Sequence, residues 1–319
     1  MPEFKDLIKF IKIEVNKSLK KIPIPQKPKY LYDPIRYSLK GTGKRFRPIL
    51  VHLVGRANNI DPNVIMNISL SIELLHNFTL IHDDIMDKDT IRHGQKTIHE
   101  KWDESSAILS GDGIFALSQI ILSSINDNST DLFRHFNKAT LEICEGQALD
   151  KEFEHDSLIT EKEYLDMIDK KTGALLSISS TLGPIYSGID SSYIEHYNNF
   201  GRALGKGFQI HDDLLEITSS PERMGKSLGS DLEEGKQTMM VIKARTNYPK
   251  EWDNLIKSSN NSDLIKNCKT FFEDKNIFDK TELMAKSYFN SARKSLAKID
   301  NINTSELLEF VNIIEKRAF

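Results

Sequence analysis

The stretch Ile60–Asp87, IDPNVIMNISLSIELLHNFTLIHDDIMD, decides the fold class. Its apolar residues recur at helical spacing, and no further glycine or proline interrupts the chain between Pro62 and Gly94. Asp61 suits the N-cap of a helix and Pro62 suits its first turn. The stretch therefore predicts one long helix that begins at Pro62 and ends near Lys88.

The rest of the chain shows the same helical spacing. The first twenty residues carry one apolar stripe with lysines opposite, and further helices are predicted at about Glu161–Ser180 and about Tyr193–Thr218. No run of residues alternates convincingly as a strand would, and no linker marks a domain boundary. We therefore predict an all-α fold, in which residues 1–319 form a single domain, a large helical bundle.

Composition excludes several classes of function. The net charge of −3 gives no electrostatic case for a nucleic-acid partner. The two cysteines, Cys144 and Cys268, match no metal or redox spacing. The N-terminal residues lack the apolar core of a signal peptide, and no run approaches the roughly 18 apolar residues of a membrane helix. We predict a cytoplasmic protein without stable membrane insertion.

The sequence Ile-His-Asp-Asp occurs twice, in LIHDDIMDKD from Leu80 and in QIHDDLLEIT from Gln209. At 100° per residue, Asp83 and Asp87 lie on one helix face, and His76 is on the same stripe. The second cluster has the same design, because Gln209, Asp213 and Glu216 share a face and Asp212 aligns with Glu216. Each helix would therefore direct several acids to one side.

Packing so many acids into a bundle is costly unless cations compensate them. Magnesium prefers oxygen ligands and completes its shell with water and phosphate oxygens. Two facing clusters would grip a diphosphate through Mg²⁺. The alternative is a solvated acidic face, but the flanking apolar residues and the repeat argue against it. His82 and His211 fall on a different face from the acids, which favours packing over metal ligation.

Basic residues accompany the two acidic clusters. GTGKRFRP places three of them beside glycines, and others follow the first cluster or lie in DKKTGALLS and in the glycine-rich loop. Arginine suits bidentate phosphate contact. Their spread across the chain favours two phosphate-bearing substrates. The residues are Lys44, Arg45, Arg47, Arg92, Lys170, Lys171, Thr172, Lys226 and Lys236.

The ordered set of motifs closely resembles the trans-isoprenyl diphosphate synthases, the polyprenyl synthetase family. That family carries two DDxxD motifs, which here are Asp83–Asp87 and Asp212–Glu216. The match covers roughly residues 36 to 245. It includes GKRFRP, IELLHNFTLIHDDIMD, GQALD, KTGALLS, GFQIHDDLLE and GKSLGSDLEEGKQT. The pattern is most similar to archaeal-type geranylgeranyl diphosphate synthases.

The resemblance implies a bundle around a deep central cavity, a homodimer, and roles for matched residues. Mg²⁺ would bind to Asp83, Asp84, Asp87, Asp212, Asp213 and Glu216. Isopentenyl diphosphate would bind to Lys44, Arg47 and His76, and Arg45 and His93 are further candidates for substrate binding. The allylic diphosphate would bind to Arg92, Lys171, Lys226 and Lys236, while Thr172 and Gln209 would line the site where positive charge develops. Catalysis would depend on Asp83, Asp84, Asp87, Lys171, Thr172, Gln209 and Asp212.

The resemblance also implies the reaction. Allylic diphosphate would depart, and the double bond of isopentenyl diphosphate would attack the allylic carbocation. The glycine-rich loop Ser219–Gly235 is the predicted lid that excludes water. Three residues depart from the family pattern. Thr42 replaces a glycine, His93 replaces an arginine that would contact isopentenyl diphosphate, and Glu216 replaces an aspartate.

Product length in the family is read just before the first acidic motif. Phe78 lies five residues before Asp83, and the small Thr79 lies four residues before it. One aromatic at the fifth position is typical of enzymes that make a C20 product, so Phe78 is predicted to floor the cavity. C15 and C25 products are the neighbouring alternatives, and ordinary core packing is the alternative role for Phe78.

Three other functions compete with a prenyl diphosphate synthase. An HD-type metal phosphohydrolase would use the His-Asp pairs but leaves the basic motifs unexplained. A terpene cyclase usually carries asparagine and serine in its second motif, which DDLLEITSS does not match. A catalytically silent regulatory subunit would be expected to lose an acidic motif, yet both clusters keep three acids.

Overall fold

A computed structural model describes residues 2–41, 43–125, 129–154, 156, 158–218, 232, 235–259, 261–300 and 302–316. Within these ranges, every regular element is helical apart from one hairpin of two very short strands. The predicted all-α fold is therefore confirmed.

The helices follow one another with short connections. In the first half they are α1 (Pro2–Lys21), α2 (Lys29–Ser38), α3 (Phe46–Ala57), α4 (Pro62–Met86), α5 (Ile98–Lys101), α6 (Glu104–Ser123) and α7 (Ser129–Phe153). In the second half they are α8 (Glu161–Ile168), α9 (Ala174–Tyr186), α10 (Ser191–Thr218), α11 (Met239–Asn247), α12 (Pro249–Ser258), α13 (Asn261–Asp274), α14 (Ile277–Leu296) and α15 (Ser305–Lys316).

Helix α4 begins and ends where the local chemistry requires. The Asp61 carboxylate accepts a hydrogen bond from the Asn63 backbone N–H at 2.8 Å, and Pro62 occupies the first turn. The helix ends at Met86, two residues before the predicted end. Contrary to the sequence-based expectation, α4 and α6 are long and apolar enough to span a membrane by length and composition. Buried core helices pass the same test, and about half of the α4 window is buried inside the protein.

The predicted helix Glu161–Ser180 extends further, to Tyr186, and contains a π-helical segment, Asp169–Gly173, between α8 and α9. Thr160 and Glu163 form a reciprocal capping box at its start. The π segment packs against α7 so closely that a Cβ atom on Gly146 would lie 2.7 Å from Lys171 Cα. Only a glycine allows this approach of the two backbones.

The hairpin was not expected from the sequence. Strands β1 (Ile91–Arg92) and β2 (Gln95–Lys96) pair antiparallel just after α4. Between them, His93 and Gly94 both adopt positive φ, of 51° and 75°, as a two-residue hairpin turn requires. Strands of two residues are too short to show an alternating pattern, so they could not be predicted from the sequence.

Helix α10 is packed between other helices of the bundle. It packs along α14 on one side and along α9 and the π segment on the other. A Cβ atom on Gly205 would lie 2.6 Å from Gly173 Cα, and one on Gly201 would lie 2.6 Å from the Leu176 carbonyl oxygen. Helix α4 packs against α6 and α3, and α7 packs against α9. These contacts leave a cavity between α4, α7, the π segment and α10.

Candidate active site

The cavity has a volume of about 1390 Å³. This exceeds the roughly 300–1,000 Å³ of most small-molecule pockets, so it has room for two substrates. Among the described residues, eight carboxylates and seven lysine or arginine side chains line it. The walls are therefore close to electrical neutrality, although they are densely charged.

The structure brings the predicted site residues together. All of those within the described ranges line the cavity except Asp84 and Lys170, so Lys170 is not part of the candidate site. Lys226 lies outside the described residues, as does most of the predicted lid Ser219–Gly235. The sequence motifs therefore converge on one cavity, although they are spread from Lys44 to Lys236.

The first acidic cluster is surrounded by cations. Asp83 Oδ1 lies 3.4 Å from Lys171 Nζ, which also donates to Asp150 at 2.6 Å. Asp87 accepts from Lys151 on one oxygen and lies 3.5 Å from Lys236 Nζ on the other. Burial alone would raise the pKa of Asp87, but the Lys151 hydrogen bond and the neighbouring lysine charges lower it. The Asp87 carboxylate is therefore held ionised.

Asp84 behaves differently from its two neighbours. Its carboxylate is buried and accepts from Arg92 at 2.6 Å, and Arg92 also bonds Asp89 at 2.7 Å. Burial raises the pKa of Asp84 to about 7 despite the Arg92 charge. From the sequence, Asp84 was predicted to bind metal and to act in catalysis. Because Asp84 does not line the cavity, its position instead favours a role in orienting Arg92.

In the second cluster, Asp213 is held by neutral donors. Tyr164 Oη donates to one carboxylate oxygen at 2.6 Å and Gln209 Nε2 donates to the other at 2.9 Å. Thr172 Oγ1 in turn donates to Gln209 Oε1 at 2.9 Å. This chain fixes the orientation of the Gln209 amide. Asp212 and Glu216 also line the cavity.

The acids fit magnesium better than a metal that needs a complete protein cage. Among the described residues, no three histidine, cysteine or acidic side chains converge closely enough to hold an ion alone. Magnesium needs only one or two carboxylates, with phosphate and water oxygens completing its shell. Carboxylates on two walls of one cavity meet this requirement once a diphosphate lies between them.

Arg47 and His76 form a second polar centre. Arg47 Nη1 lies 3.0 Å from His76 Nε2, and the buried Arg47 Nε and His76 Nδ1 atoms have no hydrogen-bond partner. Burial lowers the pKa of Arg47 to about 10, so the group stays charged at neutral pH. Burial and the Arg47 charge lower the pKa of His76 well below its usual value, so its ring is neutral. A charged donor with an unsatisfied N–H suits an anionic ligand.

Arg45 was predicted to bind substrate, but its side chain is already paired with other residues of the protein. It is buried, pairs with Glu73, and donates from Nε to Asn16 Oδ1 at 2.9 Å. Its backbone has a φ of 60° at the N-cap of α3. Lys44, by contrast, is exposed at the cavity rim. Arg45 therefore lines the cavity while fixing the loop that presents Lys44 and Arg47.

His93 lies at the tip of the hairpin turn. Although the residue as a whole is exposed, partial desolvation of its ring lowers its pKa, and the charges of Arg92, Arg45 and Lys44 lower it further. The imidazole is therefore neutral at pH 7. An arginine at this position would carry a positive charge instead.

Sequence reasoning missed three residues of the site. Lys151 and Asp150 reach the cavity from the last turns of α7, and Tyr164 reaches it from α8. Asp150 belongs to the quoted motif GQALD but received no role. A lysine or a tyrosine on an amphipathic helix gives no local signal that its partner is an acid on another helix.

The predicted floor residues lie on α4 inside the cavity. The Phe78 ring lies 5.2 Å from the Phe115 ring and 4.7 Å from the His82 ring, measured between centroids. Thr79 Oγ1 bonds the His76 carbonyl oxygen at 2.8 Å and adds little bulk to the wall. His82 packs against Gly111 of α6, and His211 packs against Phe289 of α14, as expected for packing histidines.

Comparison with known proteins places the chain in a family. Residues 28–272 match the family model described as polyprenyl synthetase. The chain is 39% identical to a geranylgeranyl pyrophosphate synthase from Geoglobus acetivorans over 290 residues, which covers 90% of both chains. It is 32% identical to a geranylfarnesyl diphosphate synthase from Natronomonas pharaonis, with 89% of both chains covered.

The fold agrees with a solved structure. A geranylgeranyl pyrophosphate synthetase from Pyrococcus horikoshii superposes with a TM-score of 0.90 at 31% identity, and the match covers 99% of both chains. The family predicted from the motifs, and the enzyme class that goes with it, are thus confirmed. The chain belongs to the polyprenyl synthetase family.

Proposed function

We propose that the chain is a Mg²⁺-dependent trans-prenyltransferase, which condenses isopentenyl diphosphate with an allylic diphosphate to give C20 geranylgeranyl diphosphate. The observation that carries this proposal is the cavity. In a member of the polyprenyl synthetase family, two acidic clusters and a set of cations line one cavity, and an aromatic residue lies within it on α4. This arrangement suits a diphosphate at one end and a growing apolar chain at the other.

The allylic diphosphate would lie between the two acidic clusters. Asp83, Asp87 and Asp212 would hold Mg²⁺, with Glu216 as a further ligand, and the ion would neutralise charge on the departing diphosphate. Lys171 and Lys236 already lie among these acids, within 3.5 Å of Asp83 and Asp87. Arg92 is oriented by Asp84 and Asp89 toward the same end of the cavity. Lys226 is a further proposed contact.

Isopentenyl diphosphate would bind at the other polar centre, formed by Lys44, Arg47 and His76. Arg47 is preorganised there, since it is half-buried, charged and short of one hydrogen-bond partner. A bound diphosphate oxygen would supply that partner in a charge-assisted hydrogen bond. His93 would contribute a neutral imidazole from the hairpin.

Positive charge would develop on the allylic carbon after diphosphate leaves. The Thr172–Gln209–Asp213–Tyr164 chain fixes the Gln209 amide, whose carbonyl oxygen is a negative dipole end in the cavity wall. Fixed dipoles of this kind stabilise developing charge without reorganising during the reaction. The isopentenyl double bond attacks the cation, and a proton is then lost, with released diphosphate as the acceptor. Closure over the cavity would keep water from the cation.

Product length would be set by Phe78. Its ring and the Phe115 ring form an aromatic pair against which a growing chain would stop. Relatives named for C20 and for C25 products are both similar to this chain, so the residues at the floor decide between them. One aromatic at Phe78, followed by Thr79, favours C20, with C15 and C25 as the alternatives.

The proposal is tested by incubating the purified protein with isopentenyl diphosphate, Mg²⁺ and each of dimethylallyl, geranyl and farnesyl diphosphate. Chromatography of the dephosphorylated products should show a C20 alcohol as the main product. Phosphate release without elongation would indicate a hydrolase, and a cyclic hydrocarbon would indicate a cyclase. If no product forms with any of the three primers, the result would support a regulatory subunit.

We further propose a cytoplasmic homodimer in which each protomer is one domain. Helix α6 carries the exposed apolar side chains Ile108, Leu109 and Ile120, which are 46%, 47% and 62% exposed. A second copy would cover them in an isologous interface. Sedimentation analysis should give the dimer mass, and Ile120→Asp should shift it toward the monomer.

A further inference from the structure

Lys151 is a cation located where a divalent ion would have to bind. It extends from the last turn of α7, and its ammonium donates to Asp87 Oδ1 and, at 2.8 Å, to Glu154 Oε1. Lys236 Nζ lies 3.5 Å from Asp87 Oδ2. Both oxygens of this carboxylate are therefore already facing an ammonium group.

The position of Lys151 is more than a surface ion pair. Its side chain is 28% exposed and that of Asp87 is 6% exposed, and both residues line the cavity. Glu154, at 15% exposure, is the second acid beside it. The Lys151 ammonium therefore lies between two acids inside the cavity. From this position it can pair either with a protein carboxylate or with an oxygen of a bound diphosphate.

The charges on Asp87 create a conflict for any divalent ion. An ion that binds Oδ1 competes with the Lys151 ammonium, because two positive charges in contact with one carboxylate oxygen repel each other. The displaced ammonium keeps Glu154 as one partner but loses Asp87. A diphosphate carries several anionic oxygens and would supply the missing partner within the same cavity.

We propose that Lys151 couples the binding of the divalent ion to the binding of diphosphate. This inference rests on the proposed function. Without diphosphate, the ammonium occupies Asp87 and weakens ion binding. When diphosphate enters, the ammonium moves from Asp87 Oδ1 to a diphosphate oxygen, and Asp87 is released to the ion. Lys151 is therefore a positioning residue that prevents the acidic cluster from filling with ions before substrate arrives.

The coupling is measured directly on the full-length protein by Mn²⁺ binding, followed by electron paramagnetic resonance of free Mn²⁺. Titrations are made with and without inorganic pyrophosphate, for wild type, Lys151→Met and Lys151→Arg. Lys170→Met is the matched control, because Lys170 is similarly exposed at 30% and pairs with Glu145 but does not line the cavity. Complexation of Mn²⁺ by pyrophosphate in solution is the same for all four proteins and cancels in the comparison.

Removing the competing ammonium should tighten Mn²⁺ binding without pyrophosphate by about tenfold in Lys151→Met, as expected for removing one nearby like charge. Pyrophosphate should then enhance Mn²⁺ binding about tenfold less than it does in wild type. Lys151→Arg should keep most of the coupling because it keeps the charge. Lys170→Met should match wild type in both titrations.

Equal Mn²⁺ affinity and equal enhancement in wild type and Lys151→Met would overturn the proposal. Thermal unfolding of each variant, followed by circular dichroism, shows whether the protein tested is folded, and Lys151→Gln supplies a second uncharged variant with the same expected result if Lys151→Met is not. The titrations do not require turnover. A protein that fails to elongate prenyl chains but shows the coupling contradicts the proposed function alone, whereas one that elongates normally without the coupling contradicts this inference alone.

Discussion

Helices α4 and α10 carry nearly the same acidic motif in different surroundings. On α4, the second acid Asp84 is paired with the guanidinium of Arg92, and the third acid Asp87 contacts two lysines. On α10, the second acid Asp213 accepts from a tyrosine hydroxyl and a glutamine amide. The repeat in sequence is therefore not a repeat in environment, because the partners come from other parts of the chain.

The bodies of the two helices differ as well. Upstream of its motif, α4 presents His76, Phe78 and Thr79 to the cavity. Upstream of its own motif, α10 has glycines that bring its backbone against α9 and the π segment. Helix α4 thus lines the cavity from Glu73 to Met86, well upstream of its motif, whereas α10 lines it only from Phe208 to Glu216.

The sharpest test of the comparison removes one leading acid from each helix. Asp83→Ala and Asp212→Ala should each lower kcat by about 10³-fold, since each removes a group that holds charge in the reaction centre. Steady-state assays with Mg²⁺ and an allylic primer measure this. Asp112→Ala, whose side chain is 63% exposed on α6, serves as the control. A loss confined to one of the two variants would show that only one helix acts in the reaction.

A single added methyl group should destabilise the protein more in α10 than in α6. Gly205→Ala places a Cβ atom against the Gly173 backbone and should destabilise the fold by about 1–3 kcal/mol. Gly113→Ala, on α6, meets only the flexible ends of Ile35 and Leu31 and should cost less. Urea unfolding of both variants checks the difference. Equal stabilities would mean that α10 is not tightly packed there.

The neutral donors of Asp213 can be tested through Tyr164. Tyr164→Phe removes one hydrogen bond to a buried carboxylate and should reduce kcat about tenfold, because Gln209 loses its fixed orientation. Tyr193→Phe is a matched control, since Tyr193 also donates to a carboxylate, Asp300, at an exposed site. Wild-type kcat in Tyr164→Phe would mean that the chain of hydrogen bonds does not position Gln209.

Because α4 lines the cavity upstream of its motif, shortening Phe78 should change the product rather than the rate. Phe78→Ala should move the main product from C20 to C25 or longer, as measured by chromatography of the dephosphorylated alcohols. Phe46→Ala is a useful control, because Phe46 lines the cavity from α3 instead of α4. An unchanged product profile in Phe78→Ala would remove it from the floor.

The smallest effect is expected at the hairpin that follows α4. Since the pKa of His93 is lowered, its imidazole gains a proton only in acidic solution, and KM for isopentenyl diphosphate should fall as the pH drops below neutral. His93→Arg is charged throughout and should lower KM at pH 7.5 by about fivefold or less. Its KM should also lack the wild-type pH dependence. If the two proteins show the same pH profile, His93 does not contact this substrate.

The sequence predicted α4 well because its signals are local. Asp61, Pro62 and the apolar spacing are all within the helix or beside it, and the predicted end was wrong by only two residues. Nearly all of the site residues that the ordered motifs predicted do line the cavity. What they could not predict was the difference between Asp83 and Asp84, because the hairpin that brings Arg92 onto Asp84 consists of strands too short to show a pattern.

The role of Lys151 and the π segment could not be predicted from the sequence for a related reason. A lysine at the end of α7 is indistinguishable from a solvated lysine until α7 is packed beside α4. The π segment adds no unusual residue, since DKKTG suits an ordinary helix. In both cases the information lies in contacts between helices and not in the spacing along one of them.

The close contact between Gly146 and the Lys171 main chain affects how the lysine ammonium groups in the cavity can move. With two backbones in contact, α7 and the π segment cannot slide past each other without a clash, so Lys151 and Lys171 are carried on a rigid frame. Their ammonium groups can change partner only by rotation about side-chain bonds, which is faster than the movement of whole helices. Any step of this protein that is observed in milliseconds therefore belongs to some other movement.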